Sequence, residues 1–456
     1  MPSIPKQPTV TNVSVEVVNA IRNSASQNYR DYVPVATADT ESIRAIGKIM
    51  FDFPALRNEF CTNLMTKFGK TIYTSKSYSN PFRMFKKGVM EFGETIEEIF
   101  VNICKVQQYD DNADGSVFKR EIPDVRSAFH VLNFQKQYPT TINNNQLRTA
   151  FNSWDSLNSF FSKVIESMYT ASEYDELQVM KYMIARQALD GLLKVQEIPA
   201  INKANMEDII APMRETSNNM EFLKTDYNLA GVYNNSLKEN QYIIVSTAFD
   251  AKMSVEVLAV AFNMDKAELI AGKRVLIDGF GNLDNKRLGE LFKDDSNYKE
   301  ITTEEKVVLN SIPAVVVDED WWQVYDNLIQ MDEIYNPKSM YWNYFLQTWK
   351  IFSVSPFACN TLFVSGVPSV TSVTLAPTAV TISSGQSANF SPTVVNENFA
   401  SKSVKWSISG NVSPDTYITQ QGALHVASDE SADTITVTAT STFDSAKTGT
   451  ATVTVA

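Results

Sequence analysis

The 456-residue chain is short of the groups that most enzymes need: it has three cysteines and two histidines. Cys61, Cys104 and Cys359 are odd in number and far apart. Neither a disulfide framework nor a CxxC metal site is suggested, and a reducing compartment is expected. His130 and His425 stand at no ligand spacing from a Cys, Asp or Glu, and such lone histidines are ordinarily structural, so no metal is expected. Gly279-Phe-Gly281 lacks the lysine and hydroxyl of a phosphate loop and reads as a strand-end turn. Asp318, Glu319 and Asp320, beside Trp321 and Trp322, read as a solvated strand end and not as an acid/base cluster. No catalytic residue and no cofactor follows. Long apolar runs are missing too: nothing is suited to span a bilayer, and residues 1–13 lack a basic start with an apolar core. A soluble product made in the cytoplasm, with no membrane partner, is the expectation. Basic charge is in deficit, with 40 Lys and Arg against 52 Asp and Glu and a formal net charge of -12, which argues against a nucleic-acid grip.

What is present is led by Ser156 to Asp190, a stretch without proline or glycine. Leu157, Phe160, Phe161, Val164, Ile165, Met168 and Tyr169 fall at helical spacing, opposite Ser159, Ser162, Lys163, Glu166 and Ser167. The pattern resumes at Leu177, Met180, Ile184 and Ala188 before Gly191. One long helix, about 156–190, is predicted; Asp155 can cap it, and Ser172-x-x-Asp175 has the spacing of a box that would restart it midway. Upstream, residues 1–50 read as an arm: prolines 2, 5 and 8, a short helical patch (Val15, Val18, Ile21), then Tyr29 and Tyr32 offering apolar bulk to a neighbour. Pro54 to Phe68 reads as a compact helix closed by Gly69.

Residues 71–107 read as a long hairpin, with a basic tip (Arg83, Lys86, Lys87, Gly88) flanked by Phe82 and Phe85. Its return limb carries Glu91, Glu94, Glu97 and Glu98. Two readings stand, a solvated hairpin or an arm whose Arg83, Lys86 and Lys87 meet a neighbour's Glu97 and Glu98. An acidic turn (110–114) and a strand region interrupted at Pro123 follow. Residues 202–241 are polar and poorly periodic. Strands are predicted at 242–245, 275–277 and 314–317, with helix starts near Met253 and at Asp265-x-x-Glu268 and a charged surface excursion at 282–305. The aromatic run Tyr341, Trp342, Tyr344, Phe345, Trp349, Phe352 suggests a second buried layer.

From about Val367 the composition shifts to Thr, Ser, Val and Ala in short alternating runs, separated by Ser384-Gly385, Ser409-Gly410 and Gln421-Gly422. That describes a small β-sandwich over 370–456 with Trp406 as its core aromatic. The module resembles a bacterial immunoglobulin-like domain of group 2, on Val373-x-Leu375, Gly385, Val404-x-Trp406-Ser407, Gly422-x-Leu424 and Ala451-x-Val453-x-Val455.

The larger body resembles the major capsid proteins of phi-29-type short-tailed bacteriophages. The stretches that carry this are 17–23, Asn80-Pro-Phe-Arg-Met-Phe-Lys-Lys-Gly88, Thr95-Ile-Glu-Glu-Ile99, Thr149-Ala-Phe-Asn-Ser-Trp154, 257–264, Val275-Leu-Ile-Asp-Gly-Phe280, Val317-Asp-Glu-Asp-Trp321, 324–328 and Tyr341-Trp-Asn-Tyr344. The resemblance implies an α+β fold of the Hong Kong 97 type over 51–366, followed by the all-β module. In it the hairpin is the extended loop, the long helix the spine, and residues about 200–312 the axial domain. It further implies copies arranged as hexamers and pentamers in an icosahedral shell within the virion, with a scaffolding protein, a portal and packaged double-stranded DNA that is not specifically bound. An acidic surface suits a container to which the polymer should not stick. The rival is a surface adhesin bearing the terminal module; the missing secretion signal speaks against it.

Overall fold

The computed structural model describes residues 13–71, 78–90, 93, 95–106, 121–201, 206–257 and 273–456. The chain folds as two compact units, the first from Met1–Thr95, Val131–Leu177 and Val324–Phe352, the second from Ile96–His130, Gln178–Gln323 and Ser353–Ala456. The leading prolines, the acidic turn at 110–114 and the Asp265-x-x-Glu268 start lie outside the described residues.

In the first unit the expected arm is corrected. Residues 13–52 form α1 (Val13–Ser24), α2 (Gln27–Tyr32) and α3 (Thr40–Asp52), followed by α4 (Pro54–Thr71). Ser26 caps α2 by accepting from the Tyr29 N–H, and Asp39 caps α3 by accepting from the Glu41 N–H. Ile43, Ile46 and Met50 recur on one face of α3 and bury with Val17, Val18, Ile21, Leu56 and Phe60. The sparse apolar patch of α1 thus finds its cover within its own chain.

That core is closed by a sheet of β1 (Lys86–Val89), β4 (Phe134–Asn143), β9 (Trp322–Asn336) and β10 (Tyr341–Val354), in the order β1-β9-β10-β4. β10 is the aromatic run, and its alternation sends Trp342, Tyr344, Leu346, Thr348 and Lys350 inward. β4 tolerates Pro139 because it is an edge strand. β1 pairs parallel with β9. α5 (Asn144–Ala150) opens with a capping box between Asn143 and Gln146. The long helix is continuous as α6 (Trp154–Leu189); Ser172 and Asp175 do not restart it, and Asp175 instead accepts from the Tyr138 hydroxyl at 2.9 Å.

In the second unit, β2 (Thr95–Val101) and β3 (Val125–Val131) form a two-stranded ribbon. A mixed sheet follows the order β5-β11-β8-β6-β7, from β5 (Val195–Ile198), β6 (Gln241–Ser246), β7 (Lys273–Ile277), β8 (Ala314–Asp318) and β11 (Asn360–Ser365). β6 and β8 are buried throughout, as their continuous apolar runs require of strands covered on both faces. α7 (Met206–Asn219), in the stretch read as aperiodic, covers this core with Ile209, Ile210 and Met213; α8 (Thr247–Val257) follows β6. The charged excursion contains α9 (Asn285–Leu291) and the start of α10 (Thr303–Asn310), and the Tyr182 hydroxyl donates to the Lys299 carbonyl at 2.9 Å.

The terminal region carries β12 (Ser369–Ala376), β13 (Ala379–Ile382), β14 (Ser387–Asn389), β15 (Ser391–Glu397), β16 (Val404–Ser409), β17 (Tyr417–Ile418), β18 (Ala423–His425), β19 (Thr434–Ser441) and β20 (Thr448–Val455). They pair as β12-β15, β13-β20-β19-β16 and β14-β18-β17 around one core that includes Val373, Leu375, Phe390, Leu424, Ile435, Val437 and Val453. Trp406 packs against this core half-buried, and Gly422 is required beside it, since a Cβ there would lie 2.7 Å from the indole. Where α6 ends, Lys402 Nζ donates to the Leu189 carbonyl at 2.7 Å. Gly191, at φ 67°, leaves room for the Ala400 carbonyl and Lys402 N–H; an added Cβ would approach them to 2.8 and 2.7 Å.

Candidate inter-subunit interface

The hairpin lies later in the chain than expected. Residues 83–85 form a turn of 3-10 helix and Lys86–Val89 a strand inside the first unit's sheet, whereas the ribbon is β2 with β3. Asn102 N–H donates to the Asp124 carbonyl at 2.9 Å, and Glu98 meets His130 at 3.1 Å. The residue number falls on one strand as it rises on the other, so the ribbon is a hairpin.

Lys86 is therefore no exposed tip. Its Nζ lies 3.0 Å from Glu176 and 2.7 Å from Asp326, and Lys350 Nζ lies 2.5 Å from the same Glu176 oxygen. Asn80 donates to the other oxygen at 2.9 Å. Two cations balance two carboxylates in the interior, which the desolvation of each ion demands. Burial pushes the Glu176 carboxyl up, but Lys350 and Lys86 outweigh it and hold it below its ordinary value. Burial pulls Lys86 down, and Glu176 and Asp326 outweigh that, holding it above. Phe82 and Phe85 are buried as well, edge to face at 5.9 Å between ring centres. One signal pointed here: Lys350 occupies an inward position of an alternating strand, which requires a buried carboxylate.

The other expected contact residues divide. Tyr29 is fully buried in the first core, so it offers nothing to a neighbour, and burial raises its hydroxyl pKa. Tyr32 is 54% exposed, its ring 5.5 Å from Phe53, itself on the surface. Arg83 is exposed and Lys87 half-buried. Glu97 is exposed on β2, while Glu98 turns inward to His130 and to the Ser355 hydroxyl, which donates at 2.7 Å. Asp318 is buried and no solvated strand end: burial raises its pKa, and the Ser236 hydroxyl donates to it.

On the ribbon, the odd-numbered face exposes Ile99, Val101, Val125, Phe129 and Val131 by half or more of each residue. The even-numbered face turns to the rest of the same unit, where Phe100 stacks on Phe357 at 5.3 Å and Arg126 donates to the Ala230 carbonyl. Five large apolar side chains left exposed on one face, with Glu97 and Ser127 among them, mark a place where another surface belongs. Among the described residues, no group of three or more His, Cys, Asp or Glu side chains could hold a metal ion, and none of the helices is long and apolar enough to cross a membrane.

Residues 18–364 match the family described as Phi29-like phage major capsid protein. The chain belongs to that family. The major capsid protein of Bacillus phage B103 is 36% identical over 434 residues, covering 94% of this chain and 90% of that one. That of Streptococcus phage Cp-1 is 26% identical over 358 residues, covering 75% of this chain and 92% of the other. The solved capsid structure of Staphylococcus phage Andhra has 16% identity and a TM-score of 0.49, over 64% of this chain and 86% of that chain. As the major capsid protein of a tailed phage, the chain is a virion component that works by associating with further copies of itself.

Proposed function

We propose that copies of this chain close into an icosahedral shell of hexamers and pentamers around double-stranded DNA, and that the apolar face of the β2–β3 ribbon is the surface each copy lays on its neighbour. The observation that carries the reading is that face: covering Ile99, Val101, Val125, Phe129 and Val131 contributes on the order of 1.5–3 kcal/mol for each side chain fully buried. Repeated around a capsomer, such modest contacts close a shell by multivalency. In this reading the fold is of the Hong Kong 97 type, the ribbon is its extended loop, α6 its spine and residues about 200–312 its axial domain. The exposed residues Tyr32, Arg83 and Glu97 then stand as rim contacts. A scaffolding protein and a portal are the expected partners, DNA is enclosed without a specific site, and no chemistry is performed.

The terminal region, in the same reading, is an immunoglobulin-like module of group 2 with its own core. The family match ends at residue 364, before this region begins, which supports a separable module. The test is electron microscopy with sedimentation of the purified chain: closed particles are expected, lost on Ile99→Asp with Phe129→Asp. Persistence of a monomer at high concentration, or normal particles from the double variant, defeats the interface reading.

A further inference from the structure

The ribbon's inward face is fastened at a point that neither the family nor the sequence pattern assigns. His130 is 1% exposed, its Nδ1 is 2.7 Å from the Ser353 hydroxyl, and its Nε2 is 3.1 Å from Glu98. The second oxygen of Glu98 accepts from Ser355 at 2.7 Å. One imidazole thus joins both strands of the ribbon to the end of β10, where Ser353 lies, and Glu98 extends the link to Ser355 just past it. We propose that Glu98, His130, Ser353 and Ser355 are a positioning clasp, which holds the even face of the ribbon against the rest of its own unit so that the odd, apolar face is presented to another copy of this chain.

Three observations carry this. First, an isolated two-stranded hairpin is marginal in water, so the order of β2 and β3 depends on what grips their inner face. Second, among the described residues the clasp is joined by few other links: Phe100 on Phe357, Arg126 to the Ala230 carbonyl, the Tyr233 N–H to the Asn102 side chain at 3.2 Å and, just past β3, Asn133, which exchanges hydrogen bonds with the Phe352 backbone. Third, the clasp is satisfied whichever charge His130 carries. Neutral, Nε2–H donates to Glu98 while Nδ1 accepts from the Ser353 hydroxyl; protonated, both nitrogens donate and the hydroxyl turns to accept. A buried hydrogen-bonded link to a carboxylate that survives both states is a durable fastening.

The inference rests on the ribbon being the presenting surface, and two separate readouts keep the claims apart. Hydrogen exchange of residues 125–131 in dilute, unassembled full-length subunits reads the clasp; particle yield reads the interface. His130→Phe keeps the volume and loses both hydrogen bonds, whereas His130→Gln supplies one donor and one acceptor. The expected result is ribbon exchange roughly tenfold faster or more in His130→Phe, within about twofold of the parent in His130→Gln, with particle yield falling only in the former. Should His130→Phe fail to fold, Ser353→Ala removes only the hydroxyl and is expected to speed exchange about fivefold. Unchanged exchange in His130→Phe, or in Ser353→Ala where the former does not fold, overturns the clasp. So does a His130→Gln variant as labile as His130→Phe, since that points to packing alone. Faster exchange with undiminished particle yield leaves the clasp standing and defeats the interface reading instead.

Discussion

The node of Lys86, Lys350, Glu176 and Asp326 and the outer face of the β2–β3 ribbon reverse the usual distribution of residues. In the node, charge is inside: the Glu176 side chain is inaccessible and that of Lys350 3% exposed. On the ribbon, Phe129 stands 63% exposed and Val101 61%. The difference lies in what completes each site. The node is complete within one chain, because α6, β1, β9 and β10 each bring an ion of a balanced set. On the proposed reading the ribbon face is completed by a second copy, as the self-association of a major capsid protein allows. A buried charge therefore reports on the subunit, and an exposed apolar strand reports on the assembly.

The largest effect is expected where that comparison is broken from the inside. Glu176→Ala leaves two buried lysines facing Asp326 alone and is expected to destabilise the subunit by about 3–5 kcal/mol, measured by urea denaturation. Combining Lys350→Met with Glu176→Met should cost less than the two changes summed; strict additivity would show that the ions are not coupled. The pH dependence follows from the shifts. Glu176, held below its ordinary value, contributes stability above about pH 4.3 and loses it as the pH falls through the folded value. Lys86, held above its own, contributes below about pH 10.4 and loses it as the pH rises through the folded value.

Breaking the comparison from the outside should spare the subunit. Ile99→Asp with Phe129→Asp is expected to leave the urea midpoint within about 0.5 kcal/mol of the parent while particles disappear from sedimentation profiles. A loss of subunit stability comparable to that of Glu176→Ala would show that the ribbon face is part of a core. Cys104 sharpens the same contrast: it is exposed beside the ribbon, whereas Cys61 and Cys359 are buried. A thiol reagent should label Cys104 readily in dilute subunits and at least about tenfold more slowly in particles; equal rates would place the ribbon away from the interface.

The smallest effect belongs to the terminal region, where Glu430 accepts from the Val412 N–H at 2.9 Å, the Thr416 hydroxyl at 2.6 Å and the Ala432 N–H at 3.1 Å. The Thr416 hydroxyl and these backbone donors hold its carboxyl at about 2. Its contribution is present above the ordinary glutamate value and is lost only as the pH falls through about 2. Glu430→Gln should lower the melting point of the region at neutral pH and leave it less changed by acid than the parent's; an identical acid profile would dismiss the contact.

The central strands β6, β7 and β8 and the terminal strands were legible because their periodicity is uninterrupted, and the long helix because nothing breaks it. β4 was missed since Pro139 and alternating polar residues imitate a loop, a disguise open only to an edge strand. α7 was missed since Pro212 and a polar face mask Ile209, Ile210 and Met213. The hairpin is misplaced for a single reason: both sequence readings put Arg83, Lys86 and Lys87 at an outward tip, in solvent or against a neighbour's Glu97 and Glu98, whereas Lys86 pairs with Glu176 of its own chain. His130 was set aside because its carboxylate stands 32 residues away in sequence and is brought near only by the ribbon's fold.

Gly191 bears on how such a protein can be rebuilt. At the seam where α6 ends, a side chain of any size would meet the Ala400 carbonyl and the Lys402 N–H, so the terminal region is fitted to one hydrogen atom's width. A foreign cargo domain grafted after residue 366 would inherit a socket cut for a different shape, and grafts that retain the loop around Ala400 and Lys402 should seat where others dangle.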